Sequence, residues 1–303
     1  MIYTAFFKFL KKMKIKLLAS AILLSIILAF NFKIGLKENT FFDEKWILKN
    51  VDSLFVKNTY KASNHLELPY RLFSPNKIHN RKIPLVVFLH GRGERGVENG
   101  ARIYRNAGFI MNKNSLITTQ SQAKYPCYIL VPQCSNKTNN EEWAKWVGNS
   151  PETPFKGLGK NGSYMMNPKP SESCEATLEL IEKVISENSI DTSRIYITGL
   201  SMGGFGTWEF IARKPDLFAA AIPMAGYSDP NQIKNIKQIP IWIFHGNKDK
   251  WNPVEGSRNM YSKLTEANAD VNYTEYNLGH GDTFKRASKE QELIPWMFSK
   301  SKI

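Results

Sequence analysis

The chain has 303 residues, 42% hydrophobic and 12% aromatic, enough to bury the core of one large α/β domain and too apolar for wholesale disorder. Only one apolar run approaches membrane length, which excludes a polytopic membrane protein, and three cysteines without paired spacing exclude a disulfide scaffold or a cysteine zinc cluster. The formal charge of +14 is unevenly spread: residues 1–37 hold seven lysines and no acid, leaving 34 basic and 27 acidic side chains, or +7, for the other 266 residues. No Lys/Arg run interleaved with aromatics appears in that remainder, so no nucleic-acid partner is expected.

The lysine-rich start ends at Lys16, and Leu17 to Phe30 (LLASAILLSIILAF) is uncharged and almost wholly apolar. Fourteen residues suit the apolar region of a secretory signal and are short for a membrane span of about 20. No A-x-A cleavage site follows, so an uncleaved anchor, lysines inside and the body outside, is the rival reading. Residues 1–37 are therefore expected to serve export or anchoring, with the membrane met only through this segment. Residues 38–52 read as a linker and 53–303 as a catalytic domain.

From Ser53 to Ser74 the pattern is strand-like, with Leu66, Leu68, Tyr70 and Leu72 alternating. Ile83 to Leu89 (IPLVVFL) is a continuous apolar run, the mark of a strand buried on both faces. Tyr128 to Val131 repeats this before Pro132. Thr177, Leu180, Ile181, Val184 and Ile185 fall at helical spacing, and Asp191-Thr192-Ser193 predicts a turn into a strand from Arg194 to Thr198. A helix over 201–213 follows, then strands near 219–223 and 241–244, a helix over 254–267, a strand over 271–276 and a closing helix over 289–298. Regular alternation of this kind predicts a mostly parallel central sheet with helices on both faces. Residues 135–170 break the rhythm: polar, rich in Asn, Gly and Pro, they predict a long insertion loop near the site.

Gly199-Leu200-Ser201-Met202-Gly203 lies directly after the predicted strand RIYIT and opens the helix through Phe205 and Trp208. A nucleophile elbow needs that strand–turn–helix setting, because its serine occupies a strained turn that lifts the hydroxyl above the sheet. A helix N-cap serine is the plainer alternative. Serine attacks only when a histidine takes its proton and a carboxylate orients that histidine, in the chain order serine, acid, histidine. Two histidines follow Ser201. His245 ends a buried strand and is expected to pack beneath the site, whereas His280 lies in the glycine-flanked loop LGHGD, free to reach over the sheet. Asp249 follows the strand IWIF by a short turn at the carboxyl edge where open α/β sheets place their sites, with Asp229 second and Asp282 and Glu255 expected to be solvated.

An oxyanion hole needs two backbone N–H groups, one from the residue after the nucleophile and one from an earlier loop. Met202 supplies the first, and Arg92, in His90-Gly91-Arg92-Gly93 after the strand ending at Leu89, the second. Trp143 and Trp146 in the insertion are candidates for a substrate platform, sugar or aromatic, with anchoring of the loop to the core as the alternative. Cys134 and Cys174 flank the insertion and could bridge, buried free thiols being the default. No metal-ligand cluster or phosphate-cradling glycine loop appears, so neither metal nor cofactor is expected.

The ordered set LVVFLHGRGERG, VPQC, RIYITGLSMGGFGTW, IPIWIFHGNKD and LGHGD resembles the α/β-hydrolase superfamily over about residues 53–300. Within it the chain is most similar to dienelactone-hydrolase-like proteins, phospholipase/carboxylesterases and feruloyl-esterase-like carbohydrate esterases, sequences also described as predicted peptidases. The resemblance implies Ser201 as nucleophile, Asp249 as acid and His280 as base. The chain has no room for the N-terminal propeller of prolyl oligopeptidase. The expectation is an exported serine esterase acting on a small-molecule or polysaccharide-linked ester. A peptidase or acyltransferase with the same triad, or a silent membrane-tethered binding protein, is the alternative.

Overall fold

Eight strands form one sheet in the order β1-β2-β4-β3-β5-β6-β7-β8: β1 (Phe55–Lys61), β2 (Glu67–Phe73), β3 (Ile83–Leu89), β4 (Tyr128–Pro132), β5 (Ile190–Leu200), β6 (Ala220–Met224), β7 (Ile241–Gly246) and β8 (Val271–Tyr276). Strand β2 is antiparallel to both its neighbours, and from β4 to β8 every pairing is parallel. This computed structural model describes residues 50–75, 81–104, 106–108, 115–135, 146–147 and 165–302. Residues 44–303 make one compact unit, to which all of these belong. The expected export segment, residues 1–37, and Trp143 lie outside the described residues.

Seven helices accompany the strands among the described residues: α1 (Thr119–Lys124), α2 (Glu172–Glu187), α3 (Met202–Arg213), α4 (Ile233–Ile236), α5 (Val254–Glu266), α6 (His280–Ala287) and α7 (Leu293–Phe298). On one face of the sheet, Leu85, Val87 and Leu89 of β3 and Ile241 and Ile243 of β7 share a core with Leu180 and Ile181 of α2, Phe205 and Trp208 of α3, and Met260 and Leu264 of α5. The alternate residues point the other way. There the Tyr196 ring meets Phe298 of α7 at 5.4 Å, and Trp242 meets Trp296 of α7 at 5.4 Å. All seven residues of β3 are consequently buried, as a strand covered on both faces must be.

The turn predicted at Asp191-Thr192-Ser193 is instead a bulge inside β5. Its pairing with β3 steps from Ile83↔Ile190 to Leu85↔Ile195 across Pro84, which has no N–H for the ladder. The Asp191 carboxylate takes the Ser193 N–H at 3.0 Å within the bulge. The closing helix is shorter than 289–298 and begins at Leu293, which leaves Pro295 in its first turn, where a missing N–H costs nothing. A polar helix, α6, which the periodicity did not signal, starts at His280.

The domain also begins earlier than residue 53. Val51 is fully buried, and Asp52 pairs with Arg71, itself wholly buried in β2. Asn99 Oδ1 accepts from Arg71 Nε at 2.6 Å and the Asn99 carbonyl from Nη2, so Arg71 ties the start of the domain to the chain beyond β3. A buried guanidinium requires such anions and acceptors, which is why Asp52 cannot belong to a linker.

Candidate active site

Ser201 lies at the end of β5 with φ 55° and ψ −116°, a left-handed backbone that a serine adopts only under constraint. Its N–H donates to the Met224 carbonyl of β6 at 2.9 Å, and its carbonyl accepts from Phe205 N–H at 3.1 Å, fixing the turn on both sides. Glycine at 203 is a requirement of the close approach: a Cβ there would collide with the Leu89 carbonyl at the end of β3. The first turn of α3, including Met202, thus abuts the loop that holds Arg92. Arg92 opens a short 3₁₀ turn (Arg92–Glu94) directly after an extended Gly91.

The structure brings the three expected side chains into one row. His280 Nε2 is 2.8 Å from Ser201 Oγ, and His280 Nδ1 is 2.5 Å from Asp249 Oδ2. A carboxylate can only accept, so Nδ1 carries the proton and Nε2 accepts from the serine hydroxyl. The Asp249 side chain is fully buried and that of His280 18% exposed, so the row opens to solvent only at its serine end. Asp249 Oδ1 accepts from the N–H groups of Trp251 (2.8 Å) and Asn252 (3.0 Å). Burial pushes this carboxyl up, but hydrogen bonds from His245, His280 and Asn252 outweigh it and hold it well below the usual carboxylate range.

His245 sits beneath the row, as its place on a buried strand predicted, and also touches the acid: its Nε2 is 3.3 Å from Asp249 Oδ2 and 3.1 Å from the Asn252 carbonyl. Both neighbours are acceptors, so Nε2 carries the proton. Nδ1 then accepts from the Ser257 hydroxyl at 2.7 Å. This contact was foreshadowed only by the i, i+4 spacing of His245 and Asp249 in HGNKD. Asp229 is engaged elsewhere, where Oδ1 caps Asn231 N–H at 2.9 Å and Oδ2 takes Met166 N–H at 3.0 Å. Asp282 and Glu255 are exposed and pair with Lys285 and Arg258.

Trp146 corrects the expectation of a substrate platform. It is fully buried, donates from Nε1 to the His90 carbonyl at 2.9 Å, and meets the His90 ring edge-on at 5.1 Å and Phe210 at 6.3 Å. A ring enclosed this way cannot stack on a ligand, so Trp146 anchors the insertion to the core. The far end of the insertion is held as well, because Arg213, paired with the buried Glu209, donates to the carbonyls of Asn167 and Pro168. Cys127, Cys134 and Cys174 are buried and not joined in disulfides, with burial pushing Cys127 up to about 12. A cleft of about 610 Å³ beside β8, lined by Trp242, Tyr261, Tyr273 and Trp296 among others, includes none of the site residues. Among the described residues, no cluster of His, Cys, Asp and Glu could hold a metal ion, and no helix is long and apolar enough to cross a membrane.

A search of solved structures finds a thermostable esterase 37% identical to this chain, superposing with a TM-score of 0.71 over 83% of this chain and 64% of the other. The fold is that of the α/β-hydrolases. Residues 169–286, which carry Ser201, Asp249 and His280, match the prolyl oligopeptidase family. Among curated proteins, this chain is 29% identical to poly(3-hydroxyalkanoate) depolymerase C of Paucimonas lemoignei, over 47% of the chain and 28% of that protein. It is 22% identical to a bifunctional acetylxylan esterase/xylanase of Neocallimastix patriciarum, over 59% of the chain and 27% of that protein. The chain thus spans less than a third of these curated relatives and under two thirds of the thermostable esterase.

Proposed function

We propose that the chain is an exported serine hydrolase that cleaves carboxylic esters, with residues 1–37 serving export or anchoring. The observation that carries the chemistry is the row Ser201–His280–Asp249, linked at 2.8 and 2.5 Å, with its serine on a strained turn at the carboxyl edge of a parallel sheet. Ser201 Oγ attacks the ester carbonyl carbon while His280 Nε2 takes the hydroxyl proton. Asp249, held ionised, stabilises the imidazolium and keeps its ring in register. The N–H groups of Met202 and Arg92 receive the oxyanion, and the first turn of α3 adds the positive end of its dipole. His280 returns the proton to the leaving alcohol. Water, activated by the same imidazole, then attacks the acyl-enzyme and frees the acid and Ser201.

Esterase names among the relatives of known sequence and structure support an ester as substrate, and the acetylxylan esterase/xylanase supports an acyl group carried on plant polysaccharide. The match of residues 169–286 to the prolyl oligopeptidase family favours a second reading, a peptidase with the same row. A substrate panel decides between them: nitrophenyl esters of short and long acids, acetylated and feruloylated xylan, and peptide anilides, each with Ser201→Ala as control. The ester reading expects Ser201-dependent turnover of esters that exceeds any turnover of anilides, and the reverse ranking would overturn it. Covalent labelling by a fluorophosphonate separates either enzyme from a silent binding protein, since only an activated serine reacts.

A further inference from the structure

The peptide between Gly91 and Arg92 is a planar trans unit whose carbonyl belongs to Gly91 and whose N–H belongs to Arg92. Carbonyl and N–H of such a unit point in opposite directions, so whatever holds the Gly91 oxygen aims the Arg92 N–H. That oxygen lies 2.7 Å from Nδ1 of His90, the residue before it. On the other side of the same ring, Nε2 accepts from Cys134 N–H at 3.1 Å, just beyond the end of β4. An acceptor at Nε2 leaves the proton on Nδ1, which therefore donates to Gly91. The preceding peptide is held too, since the His90 carbonyl accepts from the Trp146 indole at 2.9 Å. The Gly91 oxygen also accepts the Glu94 N–H at 3.3 Å within the turn, so four hydrogen bonds restrain the two successive peptides and the His90 ring, and two of these come from outside the turn: Cys134 and the insertion.

The packing leaves Trp146 little freedom to release its bond. The side chain is fully buried, and α3 admits it only where Gly206 lacks a side chain: a Cβ there would stand 2.6 Å from Trp146 Cβ. His90 is fully buried as well, and burial lowers its imidazole to about 4, so the ring is neutral at neutral pH and keeps one donor and one acceptor.

We propose that His90 and Trp146 are positioning residues that aim the Arg92 N–H at the developing oxyanion, so that the insertion acts on the rate of the chemical step through Trp146. This rests on Ser201 as nucleophile and Arg92 as oxyanion donor. A donor already aimed costs no reorganisation when charge develops, and losing one such donor lowers kcat by about 10²–10³. A donor left in place but poorly aimed loses part of that.

The test uses the full chain and Trp146→Phe, which keeps an aromatic ring in the slot and removes the indole N–H. Turnover of nitrophenyl acetate is expected to fall by about 10- to 100-fold in kcat, with KM within about twofold. The inhibition constant of an alkyl boronate, which forms a tetrahedral adduct on the serine, is expected to rise in step with the loss of kcat/KM. End-point labelling of Ser201 by a fluorophosphonate is expected to stay stoichiometric. Rates are taken per labelled serine, so partial unfolding of the variant cannot mimic the effect. His90→Asn, whose amide N–H can stand in for Nδ1–H, is expected to retain at least tenfold more activity than His90→Ala. Unchanged kcat in Trp146→Phe, or a raised KM at constant kcat, overturns the proposal while leaving the nucleophile assignment intact. Failure of the wild-type protein to label at Ser201 overturns the reading beneath it, and the proposal with it.

Discussion

Acidification of the protein should expose the burial of His90 as a loss of stability within one narrow pH window. The imidazole has an ordinary pKa of 6.5 and is held at about 4 in the folded chain, principally because burial disfavours the charged ring. Between these values the unfolded chain binds a proton that the folded one refuses, so stability falls as pH falls through the window and the loss is complete near pH 4. The gap of 6.5 − 4 pH units, at about 1.36 kcal/mol each, corresponds to about 3 kcal/mol. Against a total of about 5–15 kcal/mol for a folded domain this is a large fraction. Protonation would also place an N–H on Nε2, facing the Cys134 N–H it now accepts from. Urea unfolding of the full chain at half-unit steps from pH 7 to pH 4, beside His90→Asn, isolates the effect because other groups titrate alike in both proteins. With m near 3 kcal/mol/M, the wild-type midpoint should drop by about 1 M more than that of the variant. Parallel curves for the two proteins would refute the reasoning. Asp249 does not intrude, since its pKa is lowered from 3.8: its stabilisation is intact above that value and is lost only as pH falls further.

Three further outcomes can be checked. Ser201→Ala and His280→Ala should each cut kcat by about four orders of magnitude or more, and the double variant should be little worse, because the groups act as a unit; additive losses in steady-state assays would contradict this. Asp249→Asn should keep the fold, judged by circular dichroism, and lose about 10⁴ in kcat, whereas Asp229→Asn, which removes only a cap and a tie to Met166, should stay within tenfold of wild type; a reversal of the two would move the acid to Asp229. Gly203→Ala drives a methyl into the Leu89 carbonyl and should cost about 3 kcal/mol or more in thermal or urea unfolding, and a neutral result would show that the elbow can open without loss.

Part of the sheet was legible directly: the continuous apolar run Ile83 to Leu89 coincides with β3, and the stretch Val271 to Tyr276, rich in β-branched and aromatic residues, coincides with β8. The elbow was legible because Gly199, Ser201 and Gly203 fall between a strand and a helix, the histidine because only two follow Ser201, and the acid because Asp249 comes a short turn after the strand IWIF at the carboxyl edge of the sheet. What was hidden depends on tertiary pairing. The bulge at Asp191 exists because Pro84 on the neighbouring strand breaks the ladder, and nothing near residue 191 reports on residue 84. Helix α6, HGDTFKRA, buries only Thr283, Phe284 and Ala287 and offers no apolar stripe long enough to read. Trp146 sits in a polar segment, where an indole looks exposed until α3 and the His90 carbonyl are seen to enclose it. Asp52 looked like linker because its partner, Arg71, is nineteen positions away on β2.

The pairing of Asp52 with Arg71 sets a limit on where a processing enzyme could trim the chain. Removing residues up to 49 leaves the carboxylate in place, and the folded domain keeps its anion. Removal of three more residues would strand a wholly buried guanidinium, at a cost of about 3–5 kcal/mol, comparable to the entire stability of many domains. The same cut would loosen Asn99 and the stretch of chain that runs back toward Arg92. Any trimming at the amino end would therefore reach the candidate active site through one arginine, and an active product would have to retain Asp52.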